Sequence, residues 1–422
     1  MKHGRIHVIQ GGQYGSEGKG AVAAAMAQNA DAAVRTGSIN AGHTVYYQGK
    51  AYAMQTIPTA WVHDGVPLFI GPGAYIHPDI LEREIHTVCA ATGKDIRDRL
   101  FIDYRCMLHT PKAEATAKDA NRHHAMGATG KGSSEALIQK LRERGNPDTC
   151  HQLAFREHEL ADTVQIADVS TILNDVYRMG GDIVLEGTQG SHLDFYLGPY
   201  PFVSNRGCNA ALWLAEAGIP PSFRTETSLV CRTMPIRVAG VSGPLPNEVS
   251  WFALATRLCA ESNLPGLVDM EALFKWDDFC TVEAREMGVL PDLCDPYRPE
   301  GWDDGVKAAH RAAVSEVHSR AFKMLSEEEQ AGLSIIEKTT VTKKPRRIGF
   351  WDIDTVKQAI TWNDPNQIVL TFLNYQFPDL WEATELHDEA KDAISSIQDQ
   401  TNVKVSHTST GPLPEQLLTV NV

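Results

Sequence analysis

Short apolar runs alternate with longer segments of helical period along most of the chain. RIHVIQ predicts a strand, the stretch from about Gly18 to Asn29 a helix, and AAVR a second strand. TVYYQGKAYAM, with Gln48-Gly49 at its centre, predicts a tight hairpin. PLFIGPGAYI reads as another strand, and Pro78 opens a helix. LFID, DIVLEGTQG, SLVCRTMPIRV, QIVLTFLNYQ and VKVSHTSTG supply further strand units; the second follows a helix ending near Met179 and the last a helix near 385–400. This alternation implies an α/β fold, a mainly parallel central sheet flanked by helices, with ligands along the carboxyl ends of the strands. From Glu248 to about Lys338 the chain becomes rich in Trp, acidic residues and helical patterning. Residues 249–338 are therefore read as a mainly helical insertion within one domain spanning 1–422. His310 and His318 share a helical face there, but no carboxylate at metal-ligand spacing accompanies them, so ordinary helix residues are expected.

The 422 residues are 43% hydrophobic and 22% charged, enough for a sizeable core. A net charge of −14 argues against general nucleic-acid binding, which needs basic surface, yet leaves room for a small anion in a basic pocket. The eight cysteines form no CxxC pair and read as reduced thiols. MKHGRIHVIQ lacks the apolar stretch of a signal peptide and no run reaches membrane-spanning length, so the expectation is a cytoplasmic protein without membrane contact.

Candidate chemistry begins at IQGGQYGSEGKGAVAAAMAQ, residues 9–28, a strand end, a glycine-rich turn and a helix start. Backbone amides around Gly15, Gly18 and Gly20, with Lys19 and the helix dipole, suit phosphate oxygens. The spelling departs from the usual phosphate loop: Gln13 stands where a glycine is wanted, and Gly20 where a Ser or Thr would hold magnesium. In TGSINAGHTVYY, residues 36–47, Asn40 can read a base edge, Gly42 can bring its carbonyl to a metal or phosphate, and His43 can donate a proton to an oxygen developing charge. Each feature has a plainer reading: a turn joining strand to helix, a surface histidine, a turn glutamine at Gln189, a solvated basic loop at 343–347.

Taken in order, QYGSEGKG, NAGHT, GATGKG (127–132), LEGTQGSHLDFYLGPYPFVS (185–204), VTKKPRRIGFWD (341–352) and STGP (409–412) resemble the signature segments of the adenylosuccinate synthetase family. The likeness covers most of the chain outside 249–338. It implies a phosphate-loop-related fold and a Mg2+-dependent, homodimeric ligase that joins L-aspartate to the 6-position of a purine monophosphate. The purine O6 first takes a γ-phosphoryl group, which the aspartate amine then displaces; such a reaction depends on positioning and electrostatics. By position the resemblance gives catalytic roles to Ser16, Lys19, His43 and Gln189, and monophosphate contacts to Ser16, Asn40, Thr129, Gln189, Ser204 and Val238. It assigns the phosphoryl donor to Gly15, Glu17, Gly18, Lys19, Gly20, Gly42, His43 and Thr44, and further along to Asn374, Gln376, Thr410, Gly411 and Pro412. Aspartate falls to Thr342, Lys344 and Arg346, where a guanidinium can clamp a carboxylate. Magnesium falls to Gly42 and Ser16.

Several positions depart from the family's pattern. Ordinary members carry Asp where Ser16 stands, a carboxylate that is both N1 base and magnesium ligand. Serine is small and uncharged, and leaves room for a purine with an amino group at C2. The departure points to the branch of phage 2-aminoadenylosuccinate synthetases, which act on dGMP. Serine is a poor base, so the N1 proton would need a relay through water or phosphate. The family reads the guanine of GTP with a Lys-Leu-Asp segment; here Phe372 and Asn374 replace its Lys and Asp, which favours ATP or dATP. The partner-subunit arginine expected on the substrate phosphate falls on Glu143, between Arg142 and Arg144, either of which can serve after a one-residue shift. Lys344 stands where an arginine is usual. Two other readings remain open: an ordinary enzyme using IMP and GTP, and a catalytically silent purine-nucleotide-binding protein.

Overall fold

The computed structural model describes residues 4–119, 131–144, 163–238, 242–261, 268–287, 304–333, 335–338 and 345–421. At its centre is strand β1, Ile6–Gly11, whose alternating side chains feed two cores, Ile9 on one face and Ile6 and Val8 on the other. Burial of both faces explains why RIHVIQ reads as a nearly continuous apolar run. Among the described residues ten strands build the main sheet, in the spatial order Leu417–Thr419, Val405–Ser409, Gln367–Thr371, Thr225–Arg232, β1, Ile183–Glu186, Ala32–Arg35, Leu68–Ile70, Leu100–Asp103 and Gln165–Ala167. All neighbours run parallel except Leu417–Thr419, which returns antiparallel along Val405–Ser409. The expected α/β architecture is thus present, with both edges finished by three-residue strands.

Helix α1, Lys19–Met26, is shorter than the sequence pattern suggested, because the chain turns at Ala27–Ala30 to enter Ala32–Arg35. So short a helix is held by packing rather than propensity, and Val22, Ala23 and Ala24 are buried. The hairpin pairs His43–Tyr47 with Lys50–Met54, and Gln48 and Gly49 both have positive φ, as a two-residue primed turn requires. PLFIGPGAYI is two strands rather than one: Gly71, Pro72 and Gly73 end Leu68–Ile70, and Tyr75–Ile76 pairs in a separate small sheet. SLVCRTMPIRV also splits at Thr233–Pro235, since Ile236–Arg237 leaves the main sheet.

The Trp-rich segment contains helices Trp251–Glu261, Met270–Glu286, Asp304–Met324 and Glu327–Gly332. They pack around Trp251, Leu273, Trp276 and Phe322 above a three-stranded antiparallel sheet of Ile236–Arg237, Arg347–Gly349 and Glu248–Val249. His318 packs edge-on against Trp276 at 5.6 Å, a core contact. No helix among the described residues is long and apolar enough to cross a membrane.

Candidate active site

The carboxyl ends of five main-sheet strands, β1, Ala32–Arg35, Ile183–Glu186, Gln367–Thr371 and Val405–Ser409, open into stretches that the motifs occupy. After β1 the chain makes its glycine-rich turn, with Gly15 and Gly18 at φ 86° and Ser16 at φ 65°. A left-handed serine is uncommon, and this one is tied down: its Oγ accepts from Arg346 Nη1 at 2.8 Å. Gly20 is explained by close approach, since a Cβ there would stand 2.9 Å from both His43 Cβ and the Thr44 carbonyl. A serine or threonine in its place would push the helix off the hairpin.

Inside the turn, Glu17 is buried, and one carboxylate oxygen accepts from the amides of Gln13 (3.1 Å) and Gly15 (2.8 Å). The other oxygen lies 2.6 Å from Lys19 Nζ, also buried. An internal carboxylate therefore lies on the Gly15 amide and the Lys19 ammonium group, two of the donors expected to receive phosphate. Thr371 Oγ1 donates to the Glu17 carbonyl at 2.7 Å, fastening the turn to the strand that leads to Asn374.

His43 meets a partner that sequence reasoning missed. Glu186, at the end of the buried run IVLE, places Oε1 2.5 Å from His43 Nδ1 and 3.2 Å from Arg35 Nη1. Its Oε2 accepts from the amide and hydroxyl of Thr59 at 2.8 and 2.9 Å. Burial, followed by the charges of Arg35 and Lys19, pushes the His43 imidazole down to about 4 against the pull of Glu186. Burial alone would raise the Glu186 carboxyl, but Arg35, His43 and the Thr59 amide outweigh it and hold the group below its usual range. The carboxylate thus fixes the proton of a neutral His43 on Nδ1 and leaves Nε2 for a ligand. The available signal was a lone charge ending an otherwise apolar strand.

Gln189 adopts φ 63° and lies against the turn, where a Cβ on Gly11 would come within 2.5 Å of its carbonyl oxygen. Ser204 Oγ donates to Gln189 Oε1 at 3.0 Å, joining two residues expected separately on the monophosphate. The Asn40 amide donates to Ser38 Oγ at 3.1 Å, and Ser38 reaches Ser133 Oγ at 2.9 Å. Val238 is 36% exposed beyond Ile236–Arg237, and Arg142 and Arg144 are exposed at the end of helix Ser133–Glu143. Thr129, Thr342 and Lys344 lie outside the described residues.

Among the residues expected on the phosphoryl donor, Asn374 is buried in a single helical turn, Leu373–Tyr375, and its Oδ1 has no partner among the described residues. Thr410 Oγ1 is committed to the Ala383 carbonyl at 2.6 Å, Gly411 packs against Gln416, and Pro412 is exposed. The Gln376 carbonyl accepts from Arg257 Nη2 at 3.1 Å. Thr44 and Gly42 are exposed on the strand and turn beside His43.

Arg232, not foreseen, connects these parts. Its guanidinium stacks 3.6 Å from the Phe372 ring centre, reaches the Ser16 carbonyl at 3.4 Å and pairs with Glu337. The Arg346 amide in turn donates to the Glu337 carbonyl at 2.7 Å. An aromatic ring at 372, where the family has lysine, is what a neighbouring arginine can stack on without charge repulsion.

Comparison with known proteins bears on the family and the fold. The family model for adenylosuccinate synthetase matches residues 8–147 and 146–378. The chain is similar to adenylosuccinate synthetase of Methanocaldococcus jannaschii, 27% identical over 419 residues covering 97% of this chain and 95% of that one. Among solved structures, it resembles the succinoaminodeoxyadenylate synthetase PurZ of cyanophage S-2L bound to dGMP and dATP, with TM-score 0.68 and 22% identity over 100% of this chain and 97% of that one. A fully ligated adenylosuccinate synthetase from Plasmodium falciparum gives TM-score 0.66 at 17% identity, covering 99% and 100%.

Proposed function

Because the chain belongs to the adenylosuccinate synthetase family and is a C–N bond-forming ligase, we propose that its purine substrate is dGMP and its phosphoryl donor ATP or dATP. The product is then 2-amino-2'-deoxy-N6-succinyladenylate, formed with L-aspartate through a 6-phosphoryl intermediate, a precursor of 2-aminoadenine in DNA. The observation that carries this reading is Ser16, whose uncharged hydroxyl, held by Arg346, stands in the place of the family's carboxylate. A C2 amino group beside N1 gains room there, together with oxygen acceptors in the Ser16 hydroxyl and carbonyl. The dGMP and dATP bound in the S-2L structure belong to the same chemistry.

The donor preference is supported by the buried Asn374 Oδ1, which has no partner among the described residues. An orphaned amide oxygen costs free energy unless a ligand donor reaches it, and the exocyclic amine of adenine supplies one. Guanine presents two donors on one edge and would meet the amide NH2 as well.

His43 works on O6. Glu186 keeps Nδ1 protonated, and negative charge on a bound polyphosphate offsets Lys19 and Arg35, so that Nε2 can gain a proton and donate to the oxygen as charge develops. Lys19 leaves Glu17 to meet phosphate oxygens, and Gln189 faces the 6-position. Arg346, with the loop before it, receives the aspartate carboxylate.

Enzymes of this family are generally Mg2+-dependent. The oxygen donors here fit a hard cation held mainly by phosphate, with the exposed Gly42 carbonyl contributing and Ser16 Oγ already engaged by Arg346. Bound there, the ion would neutralise charge on the transferred phosphoryl group. A cytoplasmic homodimer, in which Arg142 or Arg144 reaches the partner's substrate phosphate, completes the reading.

Phosphate release with aspartate and Mg2+ tests it, with dGMP against IMP as acceptor and ATP against GTP as donor. Turnover with dGMP and ATP well above the other pairs is expected. Turnover with IMP and GTP alone would return the chain to ordinary adenylosuccinate synthesis.

A further inference from the structure

The Gln189 carboxamide is gripped at one end. Besides Ser204 Oγ, its Oε1 has Cys208 Sγ at 3.0 Å. The thiol is fully buried and burial pushes it far up, so it stays protonated and carries a hydrogen to donate. Two other acceptors lie within reach, the Arg206 carbonyl at 3.5 Å and the Leu193 carbonyl at 3.6 Å, and Gln189 Oε1 is the nearest. The mount is stiff: the Cys208 amide donates to Asp194 Oδ2, and Asn209 beside it donates to the same oxygen at 2.8 Å while capping helix Ala210–Ala217.

Two donors on one oxygen decide which end of the amide is which. The flipped rotamer would bring the NH2 group against a hydroxyl and a thiol whose hydrogens then fall back on longer contacts, Asn205 Oδ1 at 3.5 Å for Ser204 and the Arg206 and Leu193 carbonyls for Cys208, and would aim a carbonyl oxygen at the reacting position. An oxygen there opposes the negative charge that develops on O6 and the 6-phosphoryl group, whereas NH2 favours it. We infer that Cys208 is a positioning residue for the ligase reaction, its thiol acting with Ser204 to present the Gln189 NH2 toward the purine 6-position. This rests on the reading of Gln189 given under the proposed function.

The test is steady-state phosphate release with aspartate, ATP and Mg2+, using whichever of dGMP and IMP the unsubstituted protein turns over faster. Cys208→Ala is expected to lower kcat about threefold to tenfold, the range of one neutral hydrogen bond, with KM for the nucleotide unchanged. Cys208→Ser, which keeps a donor, restores most of the loss. In a Gln189→Ala background the cysteine change then has no further effect, because the group it orients is gone. Should Cys208→Ala fail to fold, Cys208→Val carries the same comparison, filling the site with apolar bulk and removing the donor. Unchanged kcat in Cys208→Ala, or an equal loss with and without Gln189, would make the cysteine a packing residue and overturn the proposal while leaving Gln189 in its role. No effect of Gln189→Ala itself would remove that role and the proposal together.

Discussion

Arg346 Nη1 donates to Ser16 Oγ at 2.8 Å across 330 residues of chain, so the loop expected to hold aspartate touches the turn expected to hold the purine. A carboxylate at position 16 would form an ion pair with this guanidinium and reach into the space a C2 amino group would use. Ser16→Asp is therefore expected to lower kcat/KM for dGMP by at least about tenfold and to raise it for IMP. Phosphate release with the two nucleotides measures both. Equal rates with dGMP before and after the change would sink the steric argument.

Glu186 holds His43 through Nδ1 and balances Arg35 and Thr59. In Glu186→Gln the side chain keeps its shape but no longer stabilises an imidazolium, and the amide can select the wrong tautomer. A fall in kcat of about 100-fold is expected, the lower end of what acid–base assistance contributes, with a small change in KM. Removing the charge also leaves Arg35 buried without its carboxylate, so a lower melting temperature accompanies the loss. Normal turnover in this variant would separate His43 from the chemistry.

Asn374→Asp exchanges the orphaned amide for a carboxylate that accepts from both guanine donors. A charge-assisted pair contributes roughly 1.5–3 kcal/mol, so the GTP-to-ATP ratio of kcat/KM should rise by about 10- to 100-fold. Competition between the two donors in one reaction reads this directly.

Stability should fall as the solution is acidified below neutrality. His43 and His109 are buried, and burial is the main cause that holds each imidazole down to about 4 in the folded protein. The unfolded chain takes up protons through the ordinary range near 6.5 while the folded chain does not, so acidification favours unfolding between about pH 6.5 and 4. Each histidine costs on the order of 2 kcal/mol by pH 5, and Glu84, held above its usual range mainly by burial, opposes them. Urea midpoints at pH 7.5 and 5 test the slope. His109→Asn, which retains a donor for the Lys131 carbonyl, should flatten it.

What the pattern of residues revealed, and what it hid, follows from range. The turn after β1, the Gln48–Gly49 hairpin and the Pro78 helix start are local, set by glycine conformations and proline's fixed φ, and they were legible. The likeness to a family supplied the ordered site residues, since it compares whole segments. Glu186, Arg232 and Cys208 were not visible, because each matters through a partner distant in the chain: Glu186 is 143 residues from His43 and Arg232 is 216 from Ser16. The split of PLFIGPGAYI was missed for a similar reason, as Tyr75–Ile76 pairs with Met107–Leu108 instead of continuing along its own sheet.

A sheet ten strands wide exposes two borders, and unpaired backbone there is a template on which other chains can grow. Here both borders are three residues long, Gln165–Ala167 at one side and the reversed Leu417–Thr419 at the other. Among the described residues neither offers a run of amides and carbonyls long enough to recruit a passing strand, so the sheet carries built-in protection against aggregation at high concentration.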